Sequence, residues 1–409
     1  MEKVMEWEER RFDELGFIGR GKSRHRPRND ESLLGGKYPL VQTGEIKAAN
    51  FYINEYSASY NEKGLAQSKL WQPNTLCITI AANIAETAIL NIKACFPDSI
   101  IGFVADEEKC DVKFIKYFFD IYKNHMQRIS QGATQDNLSL QKLLTFKVPT
   151  PPLLTQHKIA SILGAYDDLI ENNLKRIQLL EEAAQNLYKE WFVDFRFPNH
   201  ENHPINEETG LPEGWMIGSI KDLVNVTSGY AYKSKNWKEK GYPVVKIKTI
   251  QNNTLNLKDA GFIDEETALK TEKYRLKEGE IVIAMTGATV GKTGLVPKTN
   301  KDVFLNKRVG AFKPFSTLNN IPLIFCFFNS IDGQKQVLNY AQGAAQANIS
   351  AKQIENLKVI IPDNNNLKRF NFIEKKLIDQ ISVLNFHNYQ LQEARDLLLP
   401  RLMNQEIEV

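Results

Sequence analysis

Cysteine is scarce in this chain: four residues among 409, Cys77, Cys95, Cys110 and Cys326, with no Cys-x-x-Cys pair. That scatter offers no disulfide framework and reads as buried or free thiols in a reducing compartment. Long apolar runs are missing too. The best, IPLIFCFF at Ile321–Phe328, falls well short of the ~18 residues that span a bilayer. The opening MEKVMEWEERR is charged and has no apolar signal core. A soluble, cytoplasmic protein with no membrane partner is therefore expected. Charge of either sign is not in excess: 52 Lys and Arg against 49 Asp and Glu give +3. Any nucleic-acid surface must then be a local basic patch. Metal ligands are equally thin, since His200 and His203 have a ligand-like spacing but stand in a polar linker without Cys or further His nearby. No metal site is expected.

What is present is heptad order. From Pro149 to Pro198, apolar residues recur at steps of three and four: Ile159, Leu163, Tyr166, Ile170, Ile177, Leu180, Ala184, Leu187 and Trp191, with Asn173 as the polar seam position. This pattern predicts a long helix packed lengthwise on another helix, with the lone Asn fixing register. Pro151 and Pro152 prevent an earlier start, and Pro198 closes the far end. A helix of roughly 35–40 residues would span ~55 Å, which suits a spacer. The order returns from Ile373 as Leu377, Leu384, Leu391 and Leu398, with Gln380, His387 and Ala394 on companion positions.

The rest of the chain repeats itself. GWMIGSIKDL (Gly214–Leu223) answers the Trp7 segment, and YPVVKIKTI (Tyr242–Ile250) answers YPLVQTGEI (Tyr38–Ile46), read as strand and turn. EIVIAMTG answers the Cys77 strand, VGAFKP answers IIGFVAD, and a helix over Ile321–Leu338 answers the one over Asp111–Met126. AQGAAQANIS repeats SQGATQDNLS, and KVIIP repeats KVPTP. A period of roughly 205–215 residues is a domain duplication rather than a solenoid. The expected fold class is α+β: two similar globular α/β domains joined by two long helices in an antiparallel coiled coil, an internal pseudo-two-fold repeat. The expected boundaries are 1–148 and 214–362 for the globular domains, 149–198 and 363–409 for the helical regions, and 199–213 for a linker.

Several stretches imitate catalytic motifs. GATVGKT (Gly287–Thr293) is one residue short of a P-loop, with Thr286 where the first Gly belongs, and reads better as a tight strand–turn–strand. Pro97-Asp98 with Glu107 and Lys109, and Pro362-Asp363 with Glu374 and Lys376, fit a loose metal-nuclease pattern. TPPL at Thr150–Leu153 lacks the Asn/Asp and the aromatic of an amino-methyltransferase signature. No catalytic residue is assigned. Two basic loops do stand in equivalent places: Arg20, Lys22, Arg24, Arg26 and Arg28, then Lys233, Lys235, Lys238 and Lys240. Polar strand ends follow each, Gln42 and Thr43 in the first copy, Lys246, Lys248 and Thr249 in the second. Arg and Lys can hold phosphates or guanine, and Gln and Thr can meet base edges.

PTPPLLTQHKIASIL followed by DDLIENNLKRIQLLEEAAQNLYKEWFVDF resembles the central region of the specificity subunits of type I restriction-modification enzymes, and the repeated QGA-x-Q-x-N-[LI]-S segment and two-copy layout resemble the same family. The resemblance implies two target-recognition domains, each reading one half of a split double-stranded DNA sequence, with the helices setting the gap. It implies assembly with methyltransferase (modification) subunits and ATP-driven restriction (motor and nuclease) subunits. S-adenosylmethionine, ATP and Mg²⁺ would then serve those partners, with no cofactor bound by this chain. The sequence departs from the family pattern at Thr155, where an acidic residue is usual, at the degenerate IPDNNNLKRFN, and at NIAET in place of a glycine-rich turn. The competing readings are a nuclease or methyltransferase with an unrecognised site, and a bare coiled-coil scaffold.

Overall fold

The computed structural model describes residues 7–81, 83–131, 138–315, 319–341 and 347–409. The repeated QGA-x-Q-x-N segments fall largely at 132–137 and 342–346, outside the described residues. The chain forms two compact units: Met1–Asn172 with Gln390–Val409, and Asn173–Tyr389.

In the first unit a strand pair brackets the globular part: Glu8–Arg11 runs antiparallel to Lys147–Thr150, with Glu8 opposite Thr150. Inside the bracket a five-stranded sheet has the order Gly16–Arg20, Ile100–Ala105, Thr75–Thr79, Thr87–Leu90, Tyr52–Ile53. A four-stranded sheet has the order Ala58–Tyr60, Leu34–Leu40, Ala94–Cys95, Leu70–Trp71. Side chains of a strand point alternately to its two faces. Leu76, Ile78, Ile101 and Phe103 accordingly join the core under the Val112–Gln131 helix, while Cys77 and Ile100 join Val41, Trp71 and Phe96 on the other face. Asp111 starts that helix by accepting from the backbone N–H of Lys113 (2.7 Å) and Phe114 (3.3 Å). The Tyr38–Ile46 stretch is a strand ending at Leu40 and then a short helix, Thr43–Ala48, rather than a turn.

The second unit repeats this plan with one strand added at the far edge of its larger sheet, Ile250–Gln251. Met216–Ser219 pairs with Lys358–Ile361. The larger sheet runs Val224–Ser228, Val309–Pro314, Ile281–Ala284, Thr293–Leu295, Thr254–Leu255, Ile250–Gln251, and the smaller Gly261–Ile263, Tyr242–Val245, Val303–Leu305, Arg275–Leu276. The expected helix over Ile321–Leu338 is two helices, Ile321–Asn329 and Ile331–Ala341. The break follows from Ser330, whose Oγ accepts from Gly333 N (3.1 Å) and donates to Phe327 O (2.7 Å). Gly333 is required there, because a Cβ would lie 2.0 Å from Phe327 O. The 199–213 stretch is an ordered turn, with Leu211 buried and Phe197 stacked on Trp215 at 4.7 Å.

Two helices of 40 residues each complete the fold, Leu153–Phe192 and Asn364–Met403. Gln156, fully buried, ties the first to its globular part: Nε2 donates to Pro151 O (2.9 Å) and Lys109 O (3.2 Å), and Oε1 accepts from Asp111 N (3.1 Å). The degenerate IPDNNN still starts a helix, since Asp363 caps the N–H groups of Asn365 (2.9 Å) and Asn366 (3.1 Å). In each unit the two helical segments run antiparallel. In the first, Ile159 and Leu163 share a core with Leu399, Leu402 and Met403, and Asp167 bonds Arg395. In the second, Asn173 donates to Asn388 (2.8 Å), Ile177 packs with Ile381 and Leu384, and Phe192 meets Phe370 at 4.8 Å.

Along the first helix Ile159, Leu163, Ile170, Asn173, Ile177 and Trp191 are buried, and Tyr166, Leu180 and Leu187 are half-buried. The second seam is shifted. Leu384 is buried, but Leu377, Leu391 and Leu398 are only half-buried, and Gln380, His387 and Ala394 are exposed. The buried line is Leu367, Asn371, Glu374, Ile378, Ile381, Leu384, Asn388, Leu399 and Leu402. Three of these are polar, so an apolar count follows the neighbouring leucines instead.

Candidate nucleic-acid interface

In the first unit the basic loop leaves the edge strand Gly16–Arg20 at Gly21. A Cβ at Gly21 would stand 2.3 Å from Pro97 O, so only glycine lets the loop cross the Phe96–Pro97 backbone. Gly21 N and Lys22 N donate to Ile100 O (2.8 Å) and Phe96 O (3.0 Å). Gln67 Oε1 accepts from Arg24 N (2.6 Å) and His25 N (3.1 Å), and Ser68 Oγ donates to Lys22 O (2.7 Å). The loop closes with His25 Nε2 against Asp30 (2.7 Å). Hydrogen bonds from Ser32 above all, then His25, hold the Asp30 carboxyl down at about 2.

The five loop cations have different fates. Arg20, Arg24, Arg26 and Arg28 are exposed and Lys22 is half-buried. Arg26 Nη1 donates to Ser23 O (2.6 Å) and His25 O (2.8 Å), and Arg26 and Arg28 both bond Asp98. Among the described residues the side chains of Arg20, Lys22 and Arg24 have no partner, so they are free to take phosphates. Gln42 is exposed and Thr43 half-buried at the N-terminus of the Thr43–Ala48 helix. Close to the edge strand stands a cation that sequence reasoning missed. Lys69 Nζ lies 3.6 Å above the Trp71 ring and 4.5 Å from Phe17, and burial lowers its pKa. Phe17 itself is exposed.

The second unit builds its face differently. Gly229, like Gly21, ends the edge strand; a Cβ there would meet Leu305 O at 2.2 Å. Lys233, Lys235, Lys238 and Lys248 are exposed, and Lys238 pairs with Asp264 at 3.3 Å. Hydrogen bonds from Thr267 above all lower the Asp264 carboxyl to about 2. Lys246 lies 3.7 Å over Trp237, and burial, then the Lys248 charge, lowers its pKa. Thr249 is fully buried and its Oγ1 accepts from Lys246 N (3.0 Å), so it caps a turn and cannot meet a base. Tyr230, Tyr232, Trp237 and Tyr274 form a chain of ring contacts at 5.0–5.5 Å. Lys307 N donates to Tyr230 O (2.9 Å), which sets the exposed Lys307 and Arg308 beside the rings. Sequence reasoning missed that pair. Aligning VGAFKP with IIGFVAD would have found it, because Lys307-Arg308 occupies the places of Asp98-Ser99 in the equivalent turn of the first copy.

The motif imitations resolve into structure. Gly287–Thr293 is the turn that leads from the strand Ile281–Ala284 into the strand Thr293–Leu295, packed on the Ile331–Ala341 helix: a Cβ at Gly291 would lie 2.9 Å from Val337 Cγ1. Thr293 is buried and donates to Asn329 (3.2 Å). Pro97-Asp98 precedes the strand Ile100–Ala105, and Glu107 and Lys109 follow it, about 20 Å apart along an extended chain. Asp363 caps the helix on which Glu374 lies three turns farther on and fully buried. Neither pair can share a metal. Among the described residues there is no cluster of His, Cys, Asp and Glu able to hold one.

Comparison with known proteins gives one family. The model described as "Type I restriction modification DNA specificity domain" matches twice, over residues 5–182 and 212–384. Similar curated proteins include the type I restriction enzyme MjaIX specificity subunit of Methanocaldococcus jannaschii, 24% identical over 99% of this chain and 94% of its own. The MjaVIII specificity subunit of the same organism is 22% identical over 92% of this chain and 87% of its own. Among solved structures, the type I restriction-modification S subunit from M. genitalium superposes with a TM-score of 0.59 at 18% identity, covering 98% of this chain and 97% of that one.

Proposed function

The chain belongs to the type I restriction-modification DNA specificity family, and from that premise we propose how its two heads and two helices divide the work. The chain is a sequence-specific DNA recognition subunit of a restriction-modification complex, and its part in that complex is recognition rather than catalysis. Residues 1–148 and 214–362 are the two target-recognition domains, each reading one half of a split double-stranded site. The helical regions 149–198 and 363–409 are the ruler between the half-sites, and 199–213 is the connecting turn. Each 40-residue helix is about 60 Å long, enough to bear on a gap of several base pairs.

The observation that carries this reading is the repetition of a basic loop at one place in one topology. In both heads the edge strand of the larger sheet ends in a glycine, Gly21 or Gly229, that admits a cationic loop across a neighbouring backbone. Phosphate-holding cations stand around it in both: Arg20, Lys22 and Arg24 in the first, Lys233, Lys235, Lys307 and Arg308 in the second. Methyltransferase subunits dock on the helices. Leu154, Ile162, Ala165 and Leu169 are all exposed and fall within one face of the first helix, an apolar stripe suited to that contact. Restriction subunits join that assembly for cleavage. S-adenosylmethionine, ATP and Mg²⁺ act on the partner subunits, in the cytoplasm. No described helix is long and apolar enough to cross a membrane.

Binding of the chain, assembled with its methyltransferase, to its target should weaken steeply with salt. Replacing Lys307 and Arg308 by Ala should lower the log–log slope by about two, one for each phosphate that is no longer neutralised. An unchanged slope and affinity would place DNA on another face.

A further inference from the structure

Asp98 was met in the sequence only as part of a false nuclease pattern, yet it lies at the centre of the first basic loop. Its two carboxylate oxygens are divided between two arginines: Oδ2 accepts from Arg26 Nη2 (3.4 Å) and Oδ1 from Arg28 Nη2. Arg26 is held a second time through Nη1, on Ser23 O and His25 O. Its guanidinium is thereby a fixed part of the loop. Among the described residues Arg28 is held only at Nη2, so its Nε and Nη1 donors stay open, and its side chain is 44% exposed.

We propose that Asp98 is a positioning residue for guanine recognition by the first head, acting through Arg28. The proposal rests on the reading of residues 1–148 as a DNA-recognition domain. A guanidinium discriminates when two of its N–H groups meet guanine O6 and N7 together; adenine offers an acceptor and a donor in their place. An unbraced arginine on an exposed loop can satisfy itself on any phosphate, which adds affinity without sequence information. The carboxylate opposes that outcome twice. It fixes the plane of the Arg28 fork, and its charge repels the phosphate oxygens that Arg26 and Arg28 would otherwise take. The loop around it is anchored by Gln67, Ser68 and the His25–Asp30 pair, so the brace has a rigid base.

The second head lacks this device at the equivalent turn. Ile100 N donates to Pro97 O (3.0 Å) and Val309 N to Asn306 O (2.9 Å), so where the first copy has Asp98-Ser99 the second has Lys307-Arg308, two cations and no carboxylate. The two heads therefore differ in chemistry on the same backbone, the first with a braced arginine and the second with open cations beside aromatic rings.

The test uses the full chain assembled with its methyltransferase subunits. Competition binding compares the methylated target sequence with duplexes in which each base pair of the first half-site is replaced in turn. Arg28→Ala should cost about 10- to 100-fold in discrimination at one G·C pair and little elsewhere. Asp98→Ala should lose discrimination at that same pair while binding to unrelated duplex tightens and its salt slope steepens by about one or more. Asp98→Asn, which keeps the size and one acceptor, should fall between. Equal weakening on target and replaced duplexes for Asp98→Ala and Asp98→Asn would reduce Asp98 to a loop support and overturn the proposal. So would wild-type discrimination in both Asp98→Ala and Arg28→Ala. In either case the wild-type complex still discriminates across the first half-site, which leaves the two-head reading standing; if the wild-type complex does not, that reading fails instead.

Discussion

Glu374 should make the second unit lose stability as pH rises. Its side chain is fully buried in the helical seam, and among the described residues neither carboxylate oxygen has a hydrogen-bond partner. Burial pushes its pKa up from an ordinary 4.5 to about 7, with the neighbouring Cys326 thiol pulling slightly the other way. Because the folded state holds the proton more tightly than the unfolded chain, the stabilisation is complete below pH 4.5 and drains away up to about pH 7. At about 1.4 kcal/mol per pH unit across that interval, roughly 3 kcal/mol is lost. Glu374→Leu removes the titration and leaves an apolar side chain in its place. Thermal unfolding of the full chain at pH 5 and pH 8 reads the difference. The advantage of the Leu variant over wild type should be larger at pH 8 by roughly 2–3 kcal/mol, or on the order of 4–12 °C for a unit of this size. A variant less stable than wild type at pH 8, or a gap that does not change with pH, would refute the argument.

In the first unit, Arg395→Ala leaves the fully buried Asp167 with only the Tyr117 hydroxyl (2.5 Å) among the described residues, and should cost about 3–5 kcal/mol in denaturant unfolding. Adding Asp167→Leu should recover most of that loss. Inserting seven residues after Leu180 restores the seam one heptad later and lengthens the first helix by ~10 Å, about three base pairs if fully transmitted. Part should be absorbed by sliding against the second helix, so mapped methylation sites should show a gap longer by one or two base pairs. A two-residue insert turns the downstream seam by ~200° and should abolish folding of the pair; an unchanged gap with full activity in the heptad variant would end the ruler.

The fold was legible where one periodicity ruled. The first helix shows itself because its seam is apolar except at Asn173, and the strands at Thr75–Thr79 and Ile100–Ala105 because both faces are buried, in the second as far as Phe103. The second seam misleads because Asn371, Glu374 and Asn388 occupy it. Asn371 is held there by tertiary bonds, donating to Asn320 (3.0 Å) and accepting from Leu323 N (3.1 Å), which no local pattern announces. The Ser330 break was hidden for a different reason: Ile321–Phe328 is apolar on all sides, so no stripe marks where one helix stops. At the candidate interface the sequence located both loops but not the state of their side chains. Arg26 and Arg28 look like Arg24 until Asp98 is brought beside them from seventy positions away. Thr249 looks like a reader until it is found buried beneath its own turn.

The central claim is that two heads read two half-sites independently. Residues 1–148 are exchanged for the corresponding head of another member of the family, and the hybrid is expressed with the methyltransferase. Sequencing of methylated sites across the host genome should then show a split sequence in which one half is new and the other half, and the gap, are as in the wild type. A hybrid that remains active with both halves changed, or with neither changed, contradicts the account.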